Sequence, residues 1–259
     1  MDKRARPTSG KTDWENVADW YDQLVGEEGS EFHRKIVLPG VLRLLNAQAD
    51  ERVLDIACGQ GVLCRLLAAN GIHAVGIDSS RSLIAAAKKH GGDHIDYHVG
   101  DARDLSFLAE NSFDAAACVL AIQNIHPIQG VFEHVGRILK SSGRLVIAMM
   151  HPCFRGGETA WGWDEQQKIQ YRRVDAYLTP RKTPIVAHPG KQPDVYTWTF
   201  HKPIEAYVKA LARNGLAIDA MEEWPSHKSS TSGPRAAAEN KARQEIPMFL
   251  AIRAIRIKP

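Results

Sequence analysis

The most informative part of the sequence for the fold is the stretch Val53-Leu54-Asp55-Ile56-Ala57-Cys58-Gly59-Gln60-Gly61. Residues 52–57 predict a buried β-strand, and the glycines at 59 and 61 break it. Residues 62–69 follow with a helical pattern, which Asn70-Gly71 closes. A strand that ends in a glycine-rich turn and opens a helix is the geometry that binds nucleotides at the carboxyl edge of a parallel sheet. The glycines allow the backbone to approach such a ligand closely, because they carry no Cβ.

The same alternation of strand and helix continues on both sides of this motif. A helical pattern follows the second strand, and Ser79 or Ser80 can serve as its N-cap. Further helical patterns precede the fifth strand and each of the last two predicted strands. Near-continuous apolar strands that alternate with helices indicate a parallel sheet covered on both faces. The six further predicted strands cover residues 73–78, 95–99, 113–120, 144–150, 216–222 and 248–257.

Residues 151–200 interrupt the alternation. This segment holds three Trp, three Tyr and five Pro without clear periodicity. A stretch of this length inside a compact domain is more often a lid or a binding insertion than a plain connection. We predict a lid over a substrate pocket, with Trp161, Trp163 and Tyr171 among the residues that enclose the substrate. The alternative is that these aromatic side chains only cover an edge of the domain.

The residues in the glycine-rich turn and at the end of the second strand favour one class of nucleotide. Asp78 lies at the end of the second strand, where a carboxylate accepts the two ribose hydroxyls. A dinucleotide fingerprint requires a third glycine where this chain has Cys64, and the Lys-Ser/Thr pair of a phosphate loop is absent from the turn. Asp55 would repel a pyrophosphate but suits a free ammonium group. The residues therefore favour a nucleoside that bears an amino acid.

These motifs resemble those of the class I S-adenosylmethionine-dependent methyltransferases. The resemblance covers residues 50–150 well and the remainder in arrangement. Besides the first motif and Asp78, it is carried by Gly100-Asp101-Ala102 after the third strand and by Phe113-Asp114 at the start of the fourth. Further blocks match at 120–124 and 139–145, and Trp20-Tyr21-Asp22 is similar to the segment that closes over the cofactor in small-molecule members.

The resemblance implies an α/β, Rossmann-like, doubly wound fold. Its seven-stranded sheet is expected to be mostly parallel with the last strand antiparallel, and the insertion is expected to follow strand 5. The implied cofactor is S-adenosyl-L-methionine, and no metal is expected. The cofactor-binding residues expected from the motif positions are Tyr21, Asp55, Ala57, Cys58, Gly59, Gly61, Asp78, Ser79, Asp101, Ala102, Leu120 and Gln123.

Two histidines are candidate catalytic bases. His126 follows the fourth strand and His151 ends the fifth, so both are expected to open onto the crevice at the carboxyl ends of the strands. A histidine there can take a proton from a hydroxyl or an amine, since its ordinary pKa is close to the working pH. The alternative for each is a pocket-lining or hydrogen-bonding role.

Composition limits the classes of partner. The 33 basic and 30 acidic residues give a formal net charge of +3, too even a balance to indicate a nucleic-acid binder. The four cysteines form no CxxC pair, which disfavours zinc ribbons and thioredoxin-like redox motifs. Three of them lie in or beside apolar stretches, as free cysteines do in a reducing cytoplasm, and the sequence shows no membrane span. We expect one domain over residues 1–259, with a flexible tail at 1–15, that methylates a small molecule. The alternatives are an RNA or protein methyltransferase and a non-catalytic S-adenosylmethionine-binding protein.

Overall fold

The fold is built on a seven-stranded sheet. The computed structural model describes residues 14–188 and 192–257. The sheet strands are β1 Arg52–Ile56, β2 His73–Asp78, β3 Ile95–Val99, β4 Phe113–Val119, β5 Leu139–Met150, β10 Leu216–Trp224 and β11 Phe249–Arg256. Their order in the sheet is β10-β11-β5-β4-β1-β2-β3, in which β1 to β5 run parallel and β11 runs antiparallel to both of its neighbours. The predicted mostly parallel sheet with an antiparallel last strand is confirmed.

Helices cover both faces of this sheet. Successive residues of a strand point to opposite faces, so Val53 packs into one apolar cluster and Leu54 into the other. Within the described ranges, none of the helices is both long and apolar enough to cross a membrane. The helices are α1 Ala18–Val25, α2 Leu38–Leu45, α3 Val62–Ala68, α4 Arg81–His90, α5 Gln129–Ile138, α6 Pro152–Arg155, α7 Ile204–Arg213 and α8 Ala236–Glu245. Short 3₁₀ turns lie at Glu15–Val17 and Ile122–Asn124, and a π-helical turn at His33–Val37 precedes α2.

The insertion after β5 is more regular than its sequence suggests. It begins with α6 and then forms two antiparallel hairpins, one from β6 (Glu158–Asp164) and β7 (Ile169–Asp175) and one from β8 (Arg181–His188) and β9 (Gln192–His201). The sequence does carry a signal for β9, because Tyr196-Thr197-Trp198-Thr199-Phe200 alternates aromatic and hydroxyl side chains with the period of a strand.

The start of the fifth strand differs from the sequence prediction. The fifth strand begins at Leu139 rather than at residue 144, so Ser141-Ser142-Gly143 lies inside β5. The ladder between β4 and β5 shifts register between Phe113 and Ala115, which accommodates this early start.

Of the predicted flexible tail, residues 1–13 lie outside the described residues, whereas Trp14 and Glu15 are described.

The contact between α5 and the end of α7 provides a test of the packing. A Cβ added at Gly136 would lie 2.6 Å from the carbonyl oxygen of Asn214, a backbone atom that cannot rotate away. We expect Gly136→Ala to lower the free energy of unfolding, because overpacking costs about 1–3 kcal/mol and exceeds the gain in helix propensity. Urea unfolding measures the change.

Glu133→Ala is the matched control for this prediction, since Glu133 lies on the exposed face of the same helix. It should leave the free energy of unfolding nearly unchanged. A Gly136→Ala protein as stable as the parent would show that the two segments do not meet as described.

Candidate active site

A cavity opens at the carboxyl ends of β1, β2, β3 and β4. The predicted cofactor residues Tyr21, Ala57, Gly59, Asp78, Ser79, Asp101, Ala102 and Leu120 all line it, as does His126. Of the other lining residues, Gly100, Ala121 and Asn124 lie in motif blocks that carry the resemblance. The sequence did not point to the rest, which are Trp14, Ile77, Leu83, Arg103, Val119 and Ile125. We call this space the first cavity.

Two strained residues shape the wall of the first cavity. Ala57 and Leu120 follow β1 and β4 with φ of 57° and 53°, a left-handed conformation that residues other than glycine rarely adopt. Such conformations cluster at binding sites, because there the backbone must turn sharply beside a ligand. Gly59, with φ of 56°, continues the first of these turns, and a Cβ on it would lie 3.1 Å from the Tyr21 ring.

The Asp78 carboxylate joins the two turns beside β1 and β2. Its Oδ2 accepts the backbone N–H of Gly59 at 2.9 Å, and its Oδ1 accepts the backbone N–H of Ser80 at 2.9 Å. Burial raises its pKa above the ordinary value, and these N–H bonds act in the opposite direction. Each carboxylate oxygen has further lone pairs. Asp78 can therefore accept hydroxyl groups of a ligand in the first cavity.

The segment before α1 covers this end of the cavity. The Glu15 carboxylate accepts the hydroxyls of Ser80 and Ser82, each at 2.6 Å, at the start of α4. This contact holds Trp14 and Tyr21 at the cavity, where their rings meet edge to face with centroids 5.4 Å apart. The predicted closing role of the N-terminal aromatic segment thus has a structural counterpart in Tyr21, whereas Trp14 was not foreseen.

Four of the predicted cofactor residues do not line the first cavity: Asp55, Cys58 and Gly61 at the turn after β1, and Gln123 after β4. Asp55 is only 2% exposed behind the turn, where its carboxylate accepts the Cys64 thiol at 3.5 Å and burial raises its pKa to about 7. A Cβ on Gly61 would meet the Tyr97 hydroxyl, so that glycine serves packing rather than ligand approach. The Cys58 side chain packs towards β2, near Gly76.

Asp101, which is expected to bind the cofactor, forms an ion pair with Arg103. Arg103 binds both oxygens of Asp101, with Nη2 to Oδ2 at 2.5 Å, and its Nη1 donates to the His126 carbonyl at 2.9 Å. The pair lies on the cavity rim with both side chains partly exposed. It ties the loop after β3 to the loop after β4.

A second cavity adjoins the first, and Asn124 lines both. The hairpin β8–β9, the segment around α6 and the 3₁₀ turn after β4 form its walls. Gln123, which the sequence reasoning placed at the cofactor, lies here instead, with its Nε2 donating to the Leu120 carbonyl at 2.6 Å. The other lining residues are Met150, Pro152, Arg155, Gly156, Gly157, Thr183, Ile185, Thr199, Phe200, His201, Lys202 and Tyr207.

The aromatic residues predicted to enclose a substrate do not reach either cavity. The Trp161 ring lies 5.0 Å from the Arg155 guanidinium and 5.1 Å from that of Arg172, on β6 and beside β7. Trp163 packs under the Arg235 guanidinium at 4.5 Å, towards α8. Tyr171 remains 44% exposed. The insertion does border a cavity, but through its second hairpin, which the sequence prediction did not identify.

The two candidate histidines have different surroundings. His126 lines the first cavity and stacks on Phe200 with ring centroids 5.1 Å apart. Burial and the positive charges of Lys202, Arg103 and Lys182 hold its pKa below the ordinary value. His151 is 1% exposed and lines neither cavity.

Both ring nitrogens of His151 are engaged within the fold. Its Nδ1 accepts the backbone N–H groups of Cys153 at 3.2 Å and Phe154 at 3.4 Å, which makes it the N-cap of α6. Its Nε2 then carries the hydrogen and donates to Glu223 on β10 at 2.8 Å. Burial lowers its pKa. The predicted catalytic role at the crevice therefore gives way to a structural one.

We expect His151→Ala to lower the free energy of unfolding by about 1–3 kcal/mol, because it removes a helix cap and leaves a hydrogen-bond partner unmet. His151→Asn, which restores a capping acceptor, should recover part of the loss. The lowered pKa means that His151 favours folding above its ordinary pKa of 6.5 and that this contribution is lost as the pH falls.

Denaturant unfolding at about pH 7 and about pH 5 measures both effects, and the Asn variant should lose less stability on acidification than the parent. Unchanged stability together with abolished turnover would instead restore His151 as a catalytic base.

The comparisons with known proteins agree with this geometry. A methyltransferase domain family matches residues 54–147. A demethylmenaquinone methyltransferase from Beutenbergia cavernae is 29% identical over 87% of this chain and 79% of its own length. A ubiquinone biosynthesis O-methyltransferase from Xylella fastidiosa is 33% identical, but over only 39% of this chain and 42% of its own length.

A solved structure extends the similarity to most of the fold. The S-adenosylmethionine-dependent methyltransferase from Mesorhizobium loti superimposes with a TM-score of 0.69 at 25% identity, over 89% of this chain and 100% of its own. The sheet order, the cavity at the carboxyl ends of the strands and these relatives lead to one conclusion. The chain carries a methyltransferase domain at residues 54–147, on the fold of the class I S-adenosylmethionine-dependent methyltransferases.

Proposed function

We propose that the protein transfers the methyl group of S-adenosylmethionine in line to a small molecule held in the second cavity. The observation that carries this proposal is the adjacency of the two cavities across Asn124. A cofactor in the first cavity and an acceptor in the second would meet at that residue. The quinone methyltransferases among the relatives, named for small-molecule acceptors, support the same substrate class.

The residues of the first cavity fit S-adenosylmethionine. Asp78 places a carboxylate in the cavity wall, and Ile77, Leu83 and Ala102 provide apolar surface for a flat base. Gly59 has no Cβ, so the backbone leaves room that a side chain would fill. When bound, the cofactor supplies a methyl group already activated by a positively charged sulfur.

The role of the chain is then mainly alignment, since holding two reactants in one geometry removes most of the entropic barrier. Asp78 and the aromatic pair of Trp14 and Tyr21 fix the nucleoside, and Phe200 and Tyr207 help to exclude water from the acceptor side. His126, unprotonated at neutral pH because its pKa is lowered, can accept a proton from the acceptor.

Release of S-adenosylhomocysteine tests the proposed function. The protein is incubated with S-adenosylmethionine and, separately, with the small-molecule, RNA and protein fractions of a cell extract. We expect product release above background with the small-molecule fraction alone. Release only with the RNA or the protein fraction would show that the methyl acceptor is an RNA or a protein instead. Tight cofactor binding without release from any fraction would favour a non-catalytic protein.

We expect Asp78→Ala to weaken S-adenosylmethionine binding by about 2–4 kcal/mol, because two charge-assisted hydrogen bonds to the ribose are lost. Titration calorimetry measures the affinity. Asp96→Ala is the matched control, since Asp96 lies exposed on the neighbouring strand β3 and away from the cavity wall. Equal affinities for the parent and the Asp78 variant would remove Asp78 from the binding site.

A further inference from the structure

The second cavity is lined by positive charge without a matching negative charge. Lys202 and Arg155 both contribute to its wall, and no Asp or Glu is among its lining residues in the described part of the chain. A buried cation normally has an anionic partner, because taking an isolated charge out of water is costly. An uncompensated pair of cations in a cavity therefore indicates that a ligand supplies the negative charge.

Lys202 is held in place by neutral groups. Its Nζ donates to the carbonyl oxygens of Ile125 at 3.2 Å and Phe200 at 3.5 Å, and across residues 14–188 and 192–257 it forms no ion pair with a carboxylate. An ammonium group has three hydrogens, so one donor is left for a ligand. Burial lowers the pKa of Lys202 to about 8.

Arg155 is similarly unneutralised, because it forms no ion pair with a carboxylate of the described segments. Its guanidinium lies over the Trp161 ring, and its Nε is buried without a hydrogen-bond partner among the described residues. Burial, and next the charge of Arg172, hold its pKa below the ordinary value. Buried polar atoms in folded proteins are nearly always paired, so an unpaired donor on a cavity wall points to a ligand that accepts its hydrogen.

Two acceptors on the same wall are also unmet. The Oε1 of Gln123 is buried and has no partner in the part of the chain that the structure describes. The Nε2 of His201 donates to the Tyr177 carbonyl at 2.7 Å, which leaves its buried Nδ1 as an acceptor to which no described residue donates. The ligand should therefore bring an O–H or N–H as well as an anion. Met150, Ile185, Phe200 and Tyr207 provide apolar surface for the rest of it.

We propose that the second cavity selects a methyl acceptor that carries an anionic oxygen, either a carboxylate or an ionised hydroxyl. The anionic oxygen binds to Lys202 and Arg155. An adjacent O–H or N–H of the same molecule donates to Gln123 or His201. The proposal rests on the proposed function for its description of the ligand as the acceptor. The selection of the anion itself is a binding property that does not require turnover.

Equilibrium binding to the protein loaded with S-adenosylhomocysteine tests the selection. The carboxylate arm uses 3-hydroxybenzoate and 3-hydroxy-2-naphthoate, each compared with its amide. The hydroxyl arm compares 2-naphthol with its methyl ether. We expect at least one charged or ionisable member to bind about tenfold more tightly than its neutral partner, the strength of a hydrogen bond to a charged group. The arm that shows the preference identifies the source of the anion.

Lys202→Met should abolish this preference, and Arg155→Met should reduce it. Lys209→Met is the matched control, because Lys209 lies exposed on α7 and pairs with Glu205 at 3.1 Å. Lys202→Arg, which keeps the charge, should retain part of the preference. Unchanged S-adenosylhomocysteine affinity in the Lys202 variants shows that the fold survives the substitutions.

Neutral analogues that bind as tightly as the anions, or panels in which no anion binds better than its neutral partner, would overturn the proposal. A preference that persists in Lys202→Met would do the same. Anion selection without methyl transfer to any acceptor would leave this inference standing and contradict the proposed function. Methyl transfer to neutral acceptors alone would support the proposed function and contradict this inference.

Discussion

The carboxylate of Asp78 is the contact on which the arrangement of the site depends. It accepts one backbone N–H from the turn after β1 and another from the start of α4. Ser80, fixed in this way, also caps α4 and donates its hydroxyl to Glu15, which holds the N-terminal aromatic segment over the cavity. A single buried acid thus joins the turn, the helix and the cover of the first cavity. Its remaining acceptor capacity faces the space where a nucleoside would bind.

The two cavities differ in charge, and this difference separates their tasks. The first contains the acid of Asp78, and on its rim Asp101 and Arg103 neutralise each other. The second contains Lys202 and Arg155 and no acid among its described lining residues. A ligand with a positive centre is favoured beside the former and an anionic one beside the latter. Opposite charges in adjacent cavities would draw the two reactants together at Asn124.

The sequence predicts the sheet and the first cavity well, because both depend on local patterns. The spacing from Gly59 to Asp78 and the apolar strands place Ala57, Ser79 and Leu120 at one sheet edge without knowledge of the tertiary structure. The turn is harder to assign residue by residue. Asp55 and Gly61 belong to the same motif, yet the structure turns one into the core and packs the other against Tyr97.

The second cavity escapes prediction because it depends on contacts between distant segments. Lys202 and Arg155 come together only when β9 returns beside α6, and no local pattern encodes that return. The role of His151 likewise depends on Glu223, 72 positions away on β10. The sequence did not predict the position of the tryptophans of the insertion for a related reason. Composition marks Trp161 and Trp163 as unusual, whereas only the pairing of β6 with β7 shows which surface they cover.

A crystal structure of the protein with bound S-adenosylhomocysteine would show directly whether Asp78 holds the nucleoside beside the second cavity. We expect both ribose hydroxyls to lie within hydrogen-bond distance of the Asp78 carboxylate and the sulfur to face Asn124 and the second cavity. A nucleoside bound away from Asp78, or a sulfur directed away from the second cavity, would show that Asp78 does not organise the site in this way.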